Sequence, residues 1–438
     1  MPAGGATRSR VEQTTQSKGD SHMKRRFLLV TTTLCLVALG LALALAGCGG
    51  STDTTAGNGD TSATTGSGDT GTTASSDELL IIGACLGLSG EDAVADVPVE
   101  AGLKYWVDKV NKEGGIAGHQ LKLIVKDNKS DPQLTGTVTD ELIDEGAVVI
   151  IGPPFPGRFA PAVTAAAKRN VSVISGCSTQ PEAVYIGGAK AYLAAFGDNV
   201  QAAACAEYAL KQGYKTVYTL TSPDLSYTQM QPKWFVEVFE KGGGTRIGDD
   251  TYSIGQQDFS PQVTKIASLN PQPDVIYCTA FMPDVATLVR QLRAAGVTAP
   301  YIGGDGLDTI ALPEFAGKDA DGVVFSTHGF PVPGSTFEAF QKGLTDFFGT
   351  EPEAPGLSSL SADAIEAIRA AVEKAGSLDP KAIGDALGEI ENVPIVNGTL
   401  TYKGTDGVPN KPVTMVGIKD GKFEFVESFI PSFIPKTQ

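Results

Sequence analysis

Histidine is the scarcest functional residue of this chain, with only His22, His119 and His328 among 438 residues. Three scattered imidazoles leave little for a histidine-built metal site or for activating a serine or cysteine nucleophile. Basic residues are also short, 34 Lys and Arg against 50 Asp and Glu, and the resulting charge of −16 repels the phosphates of nucleic acid. There is no Gly-x-Ser-x-Gly elbow, no clustered metal-ligand motif and no basic DNA-reading headpiece, which argues against a hydrolase, a metalloenzyme or a repressor. Nothing calls for a cofactor or a metal. Cysteine is sparse as well: beyond Cys35 and Cys48, the chain has Cys85, Cys177, Cys205 and Cys278, none with a histidine neighbour. These four read as small buried thiols; Cys85 and Cys177, both near strand ends of one half, are the pair that an oxidising compartment would allow to bridge.

What the chain does have is length and apolar content. With 42% hydrophobic residues and mean hydropathy near zero it can bury a large core, and 438 residues suggest two to three compact units. The longest apolar run, residues 27–45, follows Met23-Lys24-Arg25-Arg26 and closes on Leu45-Ala46-Gly47-Cys48. A basic cluster, an apolar stretch and a small-residue end make an export signal; the competing reading is a permanent membrane anchor, since the run is long enough to span a bilayer. Leu-Ala-Gly-Cys resembles the lipobox of bacterial lipoproteins, which implies cleavage before Cys48 and a lipid on its sulfur. Residues 1–22 then read as an over-extended start, 23–47 as the signal peptide, and 48–77 as the lipidated cysteine with its tether.

Residues 1–47 hold six basic and two acidic side chains, so the exported remainder carries 28 against 48, a net −20. From Gly49 to Asp77 only Gly, Ser, Thr, Ala, Asp and Asn occur. Such a segment has nothing to bury, and as a flexible coil it would reach about 30 Å. Within it Gly66-Ser67-Gly68-Asp69-Thr70-Gly71 spells the dinucleotide fingerprint, but no strand precedes it and no helix follows, so the match is rejected.

Past Glu78 the pattern changes to β-branched runs alternating with amphipathic segments, as in parallel sheets covered by helices. Residues 79–82 read as a first strand. Val99, Leu103, Trp106, Val107 and Val110 share one helical face that Gly114-Gly115 ends. Strands at 121–125, 148–151 and 171–174 alternate with helices after Asp131-Pro132 and over 161–169. A second series begins after Phe196-Gly197-Asp198: helices at 202–211, 228–241, 259–269 and 283–295, with strands at 216–220, 274–278 and 301–302. Helices at 337–348, 362–375 and 381–387 and short strands near 399–402, 413–418 and 423–426 complete the chain. The fold class is α/β, two doubly wound lobes. Open parallel sheets bind ligands beyond the carboxyl ends of their strands. Those ends include Gly152-Pro-Pro-Phe-Pro-Gly-Arg158, Ser175-Gly-Cys-Ser-Thr179, Ser222-Pro-Asp-Leu-Ser-Tyr227, Ala280-Phe281 and Gly303-Gly-Asp305-Gly306.

These segments, with Val110-Asn-Lys-Glu-Gly-Gly-Ile-Ala-Gly118, Gln257-Asp-Phe-Ser260 and Leu288-Val-Arg-Gln-Leu-Arg-Ala-Ala-Gly296, resemble the type I solute-binding proteins of ABC importers, in particular the branched-chain amino-acid (Leu/Ile/Val) binding family. The resemblance runs from Leu79 to the C-terminus. It implies two lobes joined by three crossings, here near residues 196–198, 326–330 and 392–397, with lobe 1 formed by 78–197 and 328–394 and lobe 2 by 198–327 and 395–438. It further implies a small ligand held between the lobes, its carboxylate on Ser178 and Thr179 and its ammonium on Asp305, with Phe281 and Tyr227 as aromatic contacts. The partners implied are an amino acid or organic acid, ABC permease subunits and the membrane reached through the lipid. A sensory subunit reporting occupancy to a membrane kinase or receptor fits the same features.

Each residue also has a plainer reading. Gly-Asp-Gly can be an ordinary turn, Ser178-Thr179 can cap the helix that follows, and Phe281 and Tyr227 can be lobe core. One segment departs from the family: where its carboxylate-holding serine stands, Pro153-Pro154-Phe155-Pro156-Gly157-Arg158 has three prolines and no hydroxyl, and proline donates no N–H. Arg158 could replace that donor as a bidentate cation, or lie solvated at a helix start, and Phe155 would add an aromatic wall. On this reading an aromatic or dicarboxylic acid is an alternative ligand to Leu, Ile or Val.

Overall fold

The computed structural model describes residues 78–185 and 190–437. The export signal, Cys48 and the tether therefore lie outside the described residues. Among the described residues no helix is long and apolar enough to cross a membrane.

The first sheet is built from β1 (Leu80–Leu86), β2 (Leu121–Asp127), β3 (Val149–Gly152), β4 (Ser172–Ser175) and β5 (Ala191–Leu193), all parallel, in the order β2-β1-β3-β4-β5. Parallel strands must be covered on both faces, and alternation along each strand divides the work. Val149 and Ile151 join a core with α1 (Ala93–Lys112) and a long helix, Pro355–Ala375, from late in the chain, whereas Ile150 packs with α2 (Pro132–Asp144) and α3 (Pro156–Ala167). Asp131 caps α2, its carboxylate accepting from the N–H groups of Gln133 (2.7 Å) and Leu134 (3.3 Å), with Pro132 opening the helix. Gly102 lets α1 meet the Pro355–Ala375 helix, since a Cβ there would stand 2.1 Å from the Ser358 carbonyl oxygen.

The chain then enters the second lobe through α4 (Asp198–Lys211), β6 (Thr216–Thr221), α5 (Ser226–Lys241), β7 (Thr245–Thr251), α6 (Ser260–Ala267), β8 (Val275–Cys278), α7 (Asp284–Ala294), β9 (Tyr301–Gly303), α8 (Ala311–Ala316) and β10 (Val323–Thr327). It returns to lobe 1 for α9 (Thr336–Phe348), α10 (Pro355–Ala375), α11 (Pro380–Leu387) and the hairpin β11 (Val393–Ile395) with β12 (Gly398–Leu400). It ends in lobe 2 with β13 (Val413–Lys419) and β14 (Lys422–Phe429). The second sheet runs β14-β13-β10-β9-β8-β6-β7, parallel from β7 to β10 and antiparallel at β13 and β14. Its two outer strands are partly exposed and carry charges: Arg246, Asp249 and Asp250 lie on β7, and Lys422, Glu424 and Glu427 alternate with apolar residues on β14.

The third crossing comes later than 392–397. Ile395, Leu400 and Tyr402 belong to the core of lobe 1, and Val413 is the first of the following residues in a lobe 2 core, so the passage lies between 402 and 413 and the lobe boundary does not fall at 394/395. The fully buried Lys411 anchors this passage. Lys411 Nζ donates to Asp363 Oδ2 on α10 (2.6 Å) and to the Ala194 carbonyl beside the first crossing (3.1 Å), while Asn397 Nδ2 donates to the same Asp363 oxygen (2.7 Å). Cys85, Cys177, Cys205 and Cys278 are all buried free thiols, and the Cys85–Cys177 bridge is not formed.

Candidate functional site

β9 runs out at Gly303 into a single tight turn, Asp305–Leu307, that presents Asp305 at a strand end. Asp305 Oδ1 accepts from Gln201 Nε2 (2.9 Å) and the Tyr227 hydroxyl (3.0 Å), and Oδ2 lies 3.1 Å from His328 Nε2. The backbone is held as well: Asp305 N–H donates to Gln201 Oε1 (3.0 Å) and Gly306 N–H to the Tyr227 oxygen (2.9 Å). Glycine is required on both sides, because a Cβ on Gly304 would come 2.5 Å from the Tyr227 oxygen and one on Gly306 2.8 Å from the Phe281 ring. Burial pushes the Asp305 carboxyl up, but the His328 hydrogen bond and charge, with the bonds from Gln201 and Tyr227, outweigh it and hold the group below the usual carboxylate range. Its side chain keeps 14% exposure. The Tyr227 ring, in the first turn of α5, stacks on Phe281 after β8 with centroids 5.0 Å apart and planes at 27°. An ionised carboxylate beside an aromatic pair is an arrangement that receives a cationic head and an apolar body.

A second acid lies behind the first. Gln201 Nε2 also donates to Asp198 Oδ1 (2.9 Å), as does Gln231 Nε2 (3.2 Å). Burial, reinforced by the nearby Asp305 charge, pushes Asp198 well above the usual range. The two acids thus differ: Asp305 is held below the usual carboxylate range and Asp198 is pushed above it, with Gln201 bonded to both.

On the lobe 1 side, Ser178 and Thr179 follow β4 and are buried. Ser178 N–H donates to Ser175 Oγ (3.1 Å), and the Ser178 hydroxyl accepts from Gln180 N–H (3.3 Å) ahead of the turn Pro181–Tyr185. The Thr179 carbonyl accepts from Asp198 N–H (2.6 Å) and its side chain also bonds Asp198, so this loop joins the Asp305 group through Asp198 and Gln201. A direct bridge between lobes accompanies it: the Ser226 hydroxyl donates to Glu182.

Arg158 is held in an ion pair at the start of α3. Its Nε donates to Asp92 Oδ2 (2.8 Å), its terminal nitrogen bonds Asp92 Oδ1, and that nitrogen also pairs with Glu91 at 2.8 Å. Asp92 is fully buried, and a buried carboxylate needs its counter-ion. Phe155 precedes α3, 37% exposed, with the Arg158 guanidinium carbon 5.4 Å from its ring centre, so both belong to this ion-pair group. Sequence reasoning missed Gln201, His328 and Asp198; no motif marks them, although Asp198 opens the helix after Phe196-Gly197. A cavity of about 530 Å³ lies elsewhere, between Tyr185, Asn199, the 404–410 passage and residues 434–437, and no candidate site residue lines it. Among the described residues no group of three or more His, Cys, Asp or Glu is placed to hold a metal ion.

Two α/β lobes joined by three crossings, with an ionised carboxylate at a strand end beside the first two, define a hinged solute-binding protein. A profile described as "Periplasmic binding protein" matches residues 80–422, and the chain belongs to that family. It is 26% identical over 350 residues to the Leu/Ile/Val-binding protein BraC3 of Rhizobium johnstonii, covering 80% of this chain and 94% of that one. Among solved structures, a leucine-binding protein of Thermotoga maritima superposes with a TM-score of 0.67 at 27% identity, over 81% of this chain and 99% of that one. A branched-chain amino-acid transporter substrate-binding protein of Streptococcus pneumoniae, in complex with isoleucine, gives 0.68 at 25% identity over 81% and 100%. The fold is the type I periplasmic-binding-protein fold of these neighbours.

Proposed function

We propose that the chain is the extracytoplasmic receptor of an ABC importer, capturing an amino acid with one carboxylate between its lobes and delivering it to the permease. The observation that carries this is Asp305, kept ionised at a strand end next to Tyr227 and Phe281. An ionised, largely buried carboxylate of this kind is matched by an ammonium. The Ser178 hydroxyl and the Thr179 backbone amide receive the ligand carboxylate. The engagement of Arg158 by Asp92 and Glu91 removes the cation that a dicarboxylic acid would need, and so favours a monocarboxylate. Relatives named for Leu, Ile and Val support the same class. A micromolar complex needs about 8 kcal/mol, within reach of one ammonium pair, a few charge-assisted hydrogen bonds and an aromatic wall after the cost of closure. Cys48 would carry the lipid that keeps the receptor at the membrane, a point that mass spectrometry of the mature N-terminus decides.

Isothermal titration with leucine, isoleucine, valine, phenylalanine, glutamate and benzoate tests the reading. Saturable binding of one of the monocarboxylic amino acids, lost by at least 100-fold in Asp305→Ala, is the expected result. Binding of benzoate alone, or unchanged affinity in Asp305→Ala, refutes it.

A further inference from the structure

The carboxylate that would receive an ammonium already faces another nitrogen. His328 Nε2 stands 3.1 Å from Asp305 Oδ2, the oxygen left over by Gln201 and Tyr227. His328 is 3% exposed, and its other ring nitrogen, Nδ1, has no hydrogen-bond partner among the described residues. Leaving a buried polar atom unpartnered is costly, so packing alone is a poor reason for an imidazole here. The residue also has a mechanical position. It is the first after β10, on the second crossing, and its ring stacks on Phe196 of the first crossing with centroids 4.2 Å apart and planes at 29°.

The titratable groups around this ring are few. Asp305 and Asp308 face it from the turn after β9, Asp198 lies beyond Gln201 on α4, and Tyr227 approaches from α5. Burial pushes Asp308 up, and its Oδ2 accepts from the Thr327 hydroxyl at 2.5 Å. Behind the neighbouring Gly329, which abuts Asn397, the Asp363–Lys411 pair neutralises itself. Asp305 is therefore the carboxylate of this group held below the usual range, and the imidazole is the neighbour on the oxygen that Gln201 and Tyr227 leave free.

We infer that His328 is a positioning residue that holds the ligand anchor in the empty protein: an incoming ammonium takes the Asp305 oxygen that the imidazole occupies, so the two nitrogens compete for it. The exchange also acts on the Phe196–His328 stack that joins the first two crossings. This rests on the reading of Asp305 as the ammonium anchor, and the test separates the two.

The first measurement needs no ligand. The side-chain carboxyl carbon of Asp305 is followed by NMR against pH in the wild type and in His328→Gln, which keeps a donor without the charge. The expected result is a titration midpoint for Asp305 displaced upward by about one pH unit or more; superposed curves overturn the inference. The second measurement is the dissociation constant for L-leucine in the wild type and in His328→Gln at one fixed pH. Freed of the competing ring nitrogen, His328→Gln is expected to bind about tenfold more tightly; equal or weaker binding overturns the inference. Should L-leucine bind neither protein while the Asp305 curve moves, the leucine-class reading fails and the His328 assignment stands. If His328→Gln does not fold, His328→Asn serves both measurements.

Discussion

Asp96 shows how one buried acid can tie stability to pH. It is fully buried in the first turn of α1, where its Oδ2 accepts from Gly87 N–H at 2.7 Å and its Oδ1 has no partner among the described residues. Burial outweighs that bond and pushes the carboxyl up to about 8. The folded chain thus keeps a proton that the unfolded chain releases, and this stability is fully present below the ordinary carboxyl range and lost as pH rises through about 8. Urea unfolding between pH 5 and pH 9 should lose up to ~1.4 kcal/mol per pH unit from this group, and Asp96→Asn should flatten the slope; an unchanged slope would refute the assignment. Arg158 teaches a related lesson about legibility. Its charge and its place at a strand end are evident from sequence, but its partner Asp92 stands 66 residues earlier, a distance over which spacing carries no pairing information. Asp305, Tyr227 and Phe281 were legible because each lies at the end of a recognisable strand. Gln201 and His328 were not, because they reach Asp305 from the crossings.

At the scale of elements, apolar runs made the central strands readable, and the errors sit where that signal fails. β7 is Thr-Arg-Ile-Gly-Asp-Asp-Thr, an edge strand whose polarity hides it, and β5 is only three residues long. β10 is fully buried, yet its Ser326-Thr327 end was read as a crossing. The β11–β12 hairpin carries Pro394 and turns at Val396-Asn397 ahead of Gly398, so its sequence looks like a linker and hides the later position of the third passage. The passage that exists depends on Lys411. Lys411→Met should cost about 3–5 kcal/mol in urea unfolding, because it strands the Asp363 charge in the interior, whereas adding Asp363→Leu should restore much of the loss. A single variant within 1 kcal/mol of wild type, by the same order-of-magnitude reasoning, would show the pair to be dispensable.

For the whole molecule, a ligand that touches both lobes binds only the folded, closed arrangement. At a hundredfold excess over its dissociation constant it should add about 2.7 kcal/mol and raise the melting temperature, by on the order of 5 °C in calorimetry. A solute that binds without shifting the transition would be one held equally by the unfolded chain. The second sheet carries one more consequence. The β7 margin carries Arg246, Asp249 and Asp250, and β14 carries Lys422, Glu424 and Glu427 beside the exposed Phe425 and Val426, so copies packed side by side would have to bring these charges together before their backbones could pair.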